Sequence, residues 1–198
     1  SNTDSTNIEV DTIPSAAITA AGPFCENAGV QVLTAAVNAG GKFSGGSFID
    51  SAGSFDPALA TAGTHKIYYR FTDGNSCSNT DSSTILVDTI PNAAITAAGP
   101  FCENGGSQLL SAAINSGGTF SGGSFIDSAG NFDPSVATAG THKVYYRFTD
   151  GNSCINTDST NIEVDSIPSA AITAAGPFCE NGGMQVLSAA VNAGGRFF

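Results

Sequence analysis

The sequence predicts an all-β protein built from tandem copies of a small two-sheet sandwich. Along residues 65–72, apolar and polar side chains alternate, which is typical of a half-buried strand. The other apolar segments are short and end at glycine or proline, as strands of small sandwiches do. The string AAGPFCEN recurs at Ala20, Ala97 and Ala174, so the chain repeats with a period of 77 residues.

The repeat divides the chain into four segments. Residues 13–89 and 90–166 are complete copies, which differ at 17 of 77 positions. Residues 1–12 match the end of a copy, and residues 167–198 match its first 32 positions. We therefore expect the last strand of a preceding repeat, two whole sandwiches and the N-terminal part of a further repeat, cut from a longer array.

Each repeat is predicted to contain about seven short strands and almost no helix. The long strand at 65–72 is followed by the turn Asp73-Gly74-Asn75-Ser76 and a closing strand at 84–87, which make an antiparallel hairpin. The alanine-rich stretch 15–21 lies between proline and glycine and is too short to nucleate a helix. Shorter strands are predicted upstream of the hairpin, near 15–21, 30–38, 41–44, 46–50 and 54–60.

Differences between the two copies separate the predicted core from the predicted surface. Positions that exchange one aliphatic side chain for another are expected in the core: Val32/Leu109, Val37/Ile114, Leu59/Val136 and Ile67/Val144. Positions whose chemical character changes are expected at the surface, because packed positions do not tolerate such changes: Lys42/Thr119, Ser78/Ile155 and Leu86/Glu163.

The five cysteines recur in register with the repeat. Cysteine pairs in a small glycine- and serine-rich domain indicate disulfides and an oxidising, extracellular setting, whereas zinc is disfavoured because Cys-x2-Cys spacing and nearby histidines are absent. Bonds within each repeat, Cys25–Cys77 and Cys102–Cys154, are predicted if an even number of strand crossings separates the partners. An odd number would favour a bond across repeats, for instance Cys25–Cys154. The partner of Cys179 is expected outside the chain.

In order along the repeat, four features resemble the Ig-like or PKD-like repeats of very large Bacteroidetes surface proteins: Cys25 before a strand, GGKFSGGSFID, FDPALATAGTHKIYYRFTDGNSC and STILVDT. The resemblance covers the whole chain. It departs from that pattern where Gly-Asn-Ser-Cys replaces Asn-Gly-Cys, and Phe198 stands where Ser44 and Ser121 stand in the earlier copies. The resemblance implies an immunoglobulin-like sandwich, export across the outer membrane, commonly by the type IX route, and tandem arrays in adhesins, gliding proteins or filaments.

Charge and hydropathy exclude two classes of partner. The formal net charge is -11 with only six Lys and Arg, so no basic stripe exists to bind nucleic acid. Apolar runs are far shorter than the roughly 20 residues of a membrane-spanning helix, so no membrane insertion is expected.

Loop aspartates are weak candidates for calcium ligands: Asp73, Asp81, Asp150 and Asp158. However, no D-x-D-x-D-G loop occurs, and turn hydrogen bonding is a sufficient explanation for these residues. No other cofactor is expected.

No catalytic residue is predicted. His65 and His142 occupy the same position in successive repeats, so they are one structural feature that occurs twice. An active site is expected once in a chain, whereas every candidate element here recurs with the repeat. We therefore do not expect an enzyme.

The sequence thus predicts the structural region of a large extracellular adhesin or appendage, an elongated, semi-rigid rod that provides reach and stiffness. Its expected partners are the neighbouring repeats of the same chain. One alternative is a subunit of a homo-oligomeric extracellular filament for attachment or prey capture, and a second is a glycan-binding module. The candidate contact residues for another chain or a sugar are Tyr68, Arg70, Leu86, Tyr145, Arg147 and Ile155.

Overall fold

A computed structural model describes residues 1–191 and 196 of the chain. The chain divides into two compact units. The first contains Ser1–Asn92 together with Phe148–Asn156, and the second contains Ala93–Arg147 and the chain from Thr157 onward. The departure at Phe198 lies outside the described residues.

The first complete repeat forms eight strands and one short helix. One four-stranded sheet has the order β2-β8-β7-β5, and two further strand pairs, β1-β4 and β3-β6, complete the repeat. The elements are β1 (Ala17–Ile18), β2 (Phe24–Cys25), β3 (Gln31–Val32), β4 (Ala35–Val37), β5 (Lys42–Ser44), β6 (Ser54–Phe55), α1 (Pro57–Ala60), β7 (Gly63–Thr72) and β8 (Ser78–Asp88).

The second complete repeat forms the equivalents of all these elements except β1 and β4, each 77 residues later. An isolated bridge between Ile95 and Ala112 stands where β1 pairs with β4 in the first repeat. Its four-stranded sheet has the order β11-β13-β14-β9 beside the pair β10-β12, and the last segment of the chain adds the pair β15-β16. The elements are β9 (Phe101–Cys102), β10 (Gln108–Leu109), β11 (Thr119–Ser121), β12 (Asn131–Phe132), α2 (Pro134–Ala137), β13 (Gly140–Thr149), β14 (Ile155–Asp165), β15 (Ala171–Ile172) and β16 (Ala189–Val191). The all-β, immunoglobulin-like sandwich class expected from the sequence is confirmed.

The hairpin of β7 and β8 is the longest feature of the first repeat. Its register runs from Gly63 opposite Val87 to Thr72 opposite Ser78. Burial alternates along β7 as predicted, since Ile67 and Tyr69 are buried and Tyr68 is exposed. The closing strand is longer than the predicted segment 84–87, because its polar first half pairs with β7 without carrying an apolar signal.

The core of the first repeat is built from side chains of β5, β6, β7, β8 and α1, together with Leu33 and Ile49. Phe55 and Tyr69 are its largest fully buried side chains. The Tyr69 hydroxyl donates to the carbonyl oxygen of Asn38 at 2.7 Å and accepts from the Gly41 N–H at 2.7 Å. A Cβ at Gly41 would lie 2.3 Å from the Arg70 carbonyl oxygen, so only glycine fits this approach. The core cluster is Leu33, Phe43, Ile49, Phe55, Ala60, Ile67, Tyr69, Ile85 and Val87.

Most of the aliphatic exchanges expected in the core lie at the surface instead. Ile67 and Val144 are fully buried, as predicted, but the prediction is wrong for the other pairs, whose members are exposed: Val32/Leu109, Val37/Ile114 and Leu59/Val136. Leu33, the residue directly after β3, fills the core, and Val32 points outward because side chains alternate along an extended chain. In α1, Pro57 and Ala60 supply the buried side.

The positions expected at the surface are mostly exposed. Lys42, Thr119, Ser78, Leu86 and Glu163 face solvent, and Ile155 is half-buried.

The predicted strand at 54–60 is corrected to a two-residue strand followed by a helical turn. The Asp56 carboxylate caps α1 by accepting from the Ala58 N–H at 3.0 Å, and Pro57 occupies the start of the helix. This pattern favours a helix start over a continued strand, because proline fixes a helical φ and aspartate is a preferred N-cap.

Candidate functional site

Cys25 lies at the end of the four-stranded sheet where β8 finishes. The short strand β2 runs parallel to the end of β8, with Phe24 opposite Val87 and Cys25 opposite Asp88. The Glu26 N–H donates to the Asp88 carbonyl oxygen at 2.9 Å, which continues this pairing. Cys25 is therefore fixed beside the C-terminal residue of β8.

Cys154 lies in the tight turn between β13 and β14. The Asp150 carboxylate organises this turn by accepting from the N–H groups of Asn152 and Cys154, at 2.9 and 2.8 Å. The Asp150 N–H also donates to the Cys154 carbonyl oxygen at 3.0 Å. Ser153 adopts a positive φ of 66°, and the Cys154 side chain is completely buried.

Cys25 and Cys154 form a disulfide within the first unit, with their Cα atoms 5.4 Å apart and a separation of 129 positions in sequence. The Asn27 side chain lies beside it and donates from Nδ2 to the Ile155 carbonyl oxygen at 2.8 Å. The bond therefore connects the first sequence repeat to the hairpin turn of the second.

The predicted bonds Cys25–Cys77 and Cys102–Cys154 are wrong. Cys25 pairs with the last residue of β8, whereas Cys77 immediately precedes its first residue. Eleven residues of strand at about 3.3 Å each separate the two cysteines by roughly 35 Å, far beyond the Cα distance that a disulfide spans. Cys102, opposite Asp165, and Cys154, before Ile155, are separated by β14 in the same way.

Three cysteines carry no disulfide in the structure. Cys77 is half-buried, and Cys102 and Cys179 are exposed. Burial raises the pKa of the Cys77 thiol, and the negative charges of Asp73 and Asp11 raise it further. The Cys77 thiol is therefore protonated at neutral pH, which lowers its reactivity as a nucleophile.

The four calcium candidates serve as hydrogen-bond acceptors for the backbone. Asp73 accepts from the N–H groups of Asn75 and Cys77, as Asp150 does in the second repeat. Asp81 accepts from the Ile18 N–H at 2.9 Å, and Asp158 accepts from the Ser159 N–H at 2.8 Å. Within residues 1–191 and at 196, no three His, Cys, Asp or Glu side chains are grouped as metal ligands are.

The outer face of the β5-β7-β8 sheet carries three of the predicted contact residues, Tyr68, Arg70 and Leu86. Tyr68 is 39% and Leu86 47% exposed. The Lys66 ammonium lies 5.3 Å from the centre of the Tyr68 ring, a cation–π distance. Arg70 lies opposite Lys42 across the strands and donates to the Ser78 hydroxyl at 3.0 Å.

The second repeat presents a related but less basic face. Lys143 lies 5.3 Å from the Tyr145 ring centre, and Arg147 is exposed. Thr119 and Glu163 replace Lys42 and Leu86 of the first repeat. Ile155 directly follows the bonded Cys154, and its carbonyl oxygen accepts from the Asn27 side chain.

The two histidines are half-buried, and each packs against an aromatic ring of its own repeat. His65 Nε2 hydrogen-bonds the Thr61 carbonyl oxygen at 2.9 Å, and its ring lies 5.0 Å from that of Phe48. His142 makes the same contacts with Thr138 and Phe125. Each histidine thus ties the end of a helical turn to the following long strand.

Sequence reasoning missed the parallel pairing of β2 with β8, which determines where Cys25 lies. Two residues give no periodicity, so no local pattern predicts this strand. The Asn27 contact was also missed, although Asn104 and Asn181 repeat the same residue in the same register. None of the helices in the described part of the chain has the length and apolar character of a membrane span.

No protein-family model and no curated protein matches the chain. Among solved structures, it is similar to the extracellular cadherin domains 3–6 of protocadherin gamma B2, at 13% identity and a TM-score of 0.32, over 86% of this chain and 54% of that one. It is also similar to the protocadherin gammaB7 EC3–6 cis-dimer, at 10% identity and a TM-score of 0.25, over 76% and 47%. The chain spans about half the length of these structures. Both scores are too low for the likeness to carry an argument.

Proposed function

We propose that this chain is a structural repeat region of a large extracellular surface protein of the adhesin or appendage type, which provides reach and stiffness without catalysis or a cofactor. The observation that carries the proposal is the disulfide between Cys25 and Cys154, which joins two successive repeats across 129 residues. Disulfides persist in oxidising, extracellular compartments, which supports a location at the cell surface. The resemblance of the whole sequence to Bacteroidetes surface repeats supports the same role.

The bond suits a region that carries load. In the chain-entropy relation, closing a loop of this length restricts the unfolded chain by about 5 kcal/mol. Under tension, the enclosed residues also cannot extend, because the force passes from Cys25 directly to Cys154. The closing strand runs into Ile90-Pro91 with almost no linker, and proline restricts the backbone there.

Pulling on the two ends of the chain tests this role. Without the bond, the 129-residue segment contributes roughly 430–460 Å to the final extended length, which the oxidised chain lacks. We expect Cys25→Ser to show this gain in single-molecule force spectroscopy, and the control Cys102→Ser to extend like the oxidised parent. Equal lengths for Cys25→Ser and the parent would contradict a load-bearing bond.

The cellular location has its own test. Antibodies raised against the folded chain are expected to label intact, unpermeabilised cells of the source organism. Labelling only after permeabilisation would contradict the proposed surface location.

A homo-oligomeric filament is the second candidate, favoured by aliphatic side chains that are exposed at one position in three successive repeats. Val32, Leu109 and Val186 are 75%, 72% and 93% exposed, yet all are aliphatic. Sedimentation of the oxidised chain separates the candidates, since a passive stalk is monomeric and a filament subunit self-associates. If it does self-associate, replacing all three side chains with serine is expected to abolish the oligomers.

A glycan-binding module is the third candidate, favoured by the row of Lys66, Tyr68 and Arg70 on a strongly acidic protein. A flat aromatic ring flanked by cations suits an anionic sugar. Titration with a polyuronate, with neutral cellulose oligomers as the control, tests this. Loss of polyuronate binding in Tyr68→Ala with Tyr145→Ala would support the module, and absence of binding by the parent would exclude it.

A further inference from the structure

We propose that the observed disulfide is one member of a continuous series, in which the first cysteine of every repeat bonds to the second cysteine of the next. On this inference Cys102 bonds to the cysteine 129 residues after it, and Cys77 to the cysteine 129 residues before it, the same separation as in Cys25–Cys154. Cys179 bonds forward in the same way as Cys102. The inference rests on the proposed role as part of a repeat array.

Cys102 is held in the same way as the bonded Cys25. Its strand runs parallel to the end of β14, with Phe101 opposite Val164 and Cys102 opposite Asp165. The Glu103 N–H donates to the Asp165 carbonyl oxygen at 3.0 Å, as Glu26 does to Asp88. The second repeat therefore presents an exposed thiol where the first repeat makes its bond.

Cys77 is held in the same way as the bonded Cys154. The Asp73 carboxylate accepts from the Cys77 N–H at 2.9 Å, and the Asp73 N–H donates to the Cys77 carbonyl oxygen at 2.9 Å. Ser76 has a φ of 70°, against 66° for Ser153. The turn is therefore already shaped for a bond in the absence of the partner.

Bonds within one repeat are not available to these thiols. An 11-residue strand separates the two cysteines of each repeat, β8 in the first and β14 in the second. The contact that accompanies the observed bond is also repeated in sequence, because Asn104 and Asn181 stand where Asn27 donates to the Ile155 carbonyl oxygen.

Each bond forms by oxidation of two thiols. Two S–H bonds break, one S–S bond forms, and two protons and two electrons leave. A disulfide of the oxidising compartment, such as oxidised glutathione, accepts both and becomes two thiols. Cys77 is half-buried and its thiol has a raised pKa, so it reacts slowly as a nucleophile. Thiol–disulfide exchange with glutathione is therefore expected to begin at the other, exposed cysteine of each pair.

A lengthened chain tests the series. One additional copy of residues 90–166 is inserted after Ser166, so that a third complete repeat follows the second and residues 167–198 close the chain. After oxidation by glutathione, peptide mapping without reductant is expected to find Cys25–Cys154 and a new bond from Cys102 to the second cysteine of the inserted copy. Cys77 is expected to remain a thiol.

Matched variants make the result specific. Cys102→Ser is expected to remove only the new bond, and Cys25→Ser only the original one. A free Cys102 beside an intact Cys25–Cys154 bond would overturn the series and leave the proposed function standing. A bond from Cys102 to Cys154 would overturn the series and the inter-repeat bond on which the proposed function relies.

Discussion

In both complete repeats the short strand that carries the first cysteine pairs in parallel with the closing strand, yet this cysteine is bonded in one repeat and free in the other. Phe24 lies opposite Val87, and Phe101 lies opposite Val164 in the same parallel pairing. Cys25 is in a disulfide, whereas the equivalent Cys102 is exposed. The parallel pairing therefore forms both with and without a disulfide at this cysteine.

The same comparison separates the inner and outer faces of the sheet. Every fully buried aromatic residue is identical in the two repeats, including Phe55/Phe132 and Tyr69/Tyr146. The outer face changes, since Leu86 becomes Glu163 and Lys42 becomes Thr119. Packing constrains the interior, whereas a solvent-facing position accepts a change of charge.

The largest expected effect is the difference in stability between removing the bonded Cys25 and removing the unbonded Cys102. Cys25→Ser is expected to lower the free energy of unfolding by about 2–5 kcal/mol, because a long loop in the unfolded chain is no longer closed. Cys102→Ser is expected to change it by less than about 0.5 kcal/mol, as for an exposed side chain. Urea titrations under oxidising conditions measure both. Equal losses would contradict the stabilising effect assigned to the Cys25–Cys154 bond.

Truncating the central aromatic residue tests whether the two cores are equivalent. Phe55→Ala and Phe132→Ala are each expected to lower the unfolding free energy of their own repeat by about 3–5 kcal/mol, since both rings are fully buried. Hydrogen exchange with mass spectrometry resolves the repeats. A much smaller loss for Phe132→Ala would contradict the equivalence.

The buried tyrosine hydroxyls allow a finer comparison. Tyr69→Phe leaves the Gly41 N–H and the Asn38 carbonyl oxygen without their partner, which is expected to lower the unfolding free energy by about 1–3 kcal/mol. Tyr146→Phe is expected to have the same effect, since Tyr146 makes the same bonds to Gly118 and Asn115. Exposed Tyr68→Phe, measured alongside, is expected to have no effect.

The smallest expected difference concerns one turn aspartate in each repeat. Hydrogen bonds from Ser54, chiefly from its N–H, lower the pKa of Asp50, and the pKa of Asp127 is lowered first by the Asn131 side chain and then by the backbone. Both folded pKa values lie below those of the unfolded chain. The stability that the carboxylates contribute is therefore complete above the ordinary aspartate range and is lost as the pH falls through the lowered values.

Carboxyl NMR titration checks this difference. Asn131→Ser introduces the residue of the first repeat and is expected to raise the pKa of Asp127, because the side-chain amide donor at 2.7 Å is removed. The pKa of Asp50 serves as the internal control and is expected to stay unchanged. An unchanged Asp127 would contradict the assigned role of Asn131.

The sequence predicted those parts of the fold that a regular pattern encodes. The long strand at 65–72 was found because Ile67 and Tyr69 alternate with polar neighbours, and the hairpin because a turn signal follows. The first half of β8 was missed because its residues are polar, and they adopt a strand conformation only because they pair with β7. The exposed Val32 and Leu109 were misassigned because an exchange between aliphatic residues shows that the position is apolar, not that it is buried.

The cysteine pairing could not be obtained from spacing alone. The 77-residue period makes the second cysteines of successive repeats equivalent in sequence, so Cys77 and Cys154 are equally plausible partners for Cys25. The choice depends on which end of β8 Cys25 adjoins, and that is decided by a two-residue strand. The histidines were correctly predicted as one repeated feature, but their contacts required the structure.

The disulfide also changes what a single proteolytic cut can do. Any one cleavage between residues 26 and 153 leaves both fragments joined through Cys25 and Cys154, so the chain separates only after reduction. In the proposed series, successive bonds overlap, because Cys102 begins the next loop before Cys154 closes the first. Within the array, each peptide bond is then enclosed in at least one disulfide-closed loop. A surface protein built in this way would stay in one piece after any single cut by an extracellular protease.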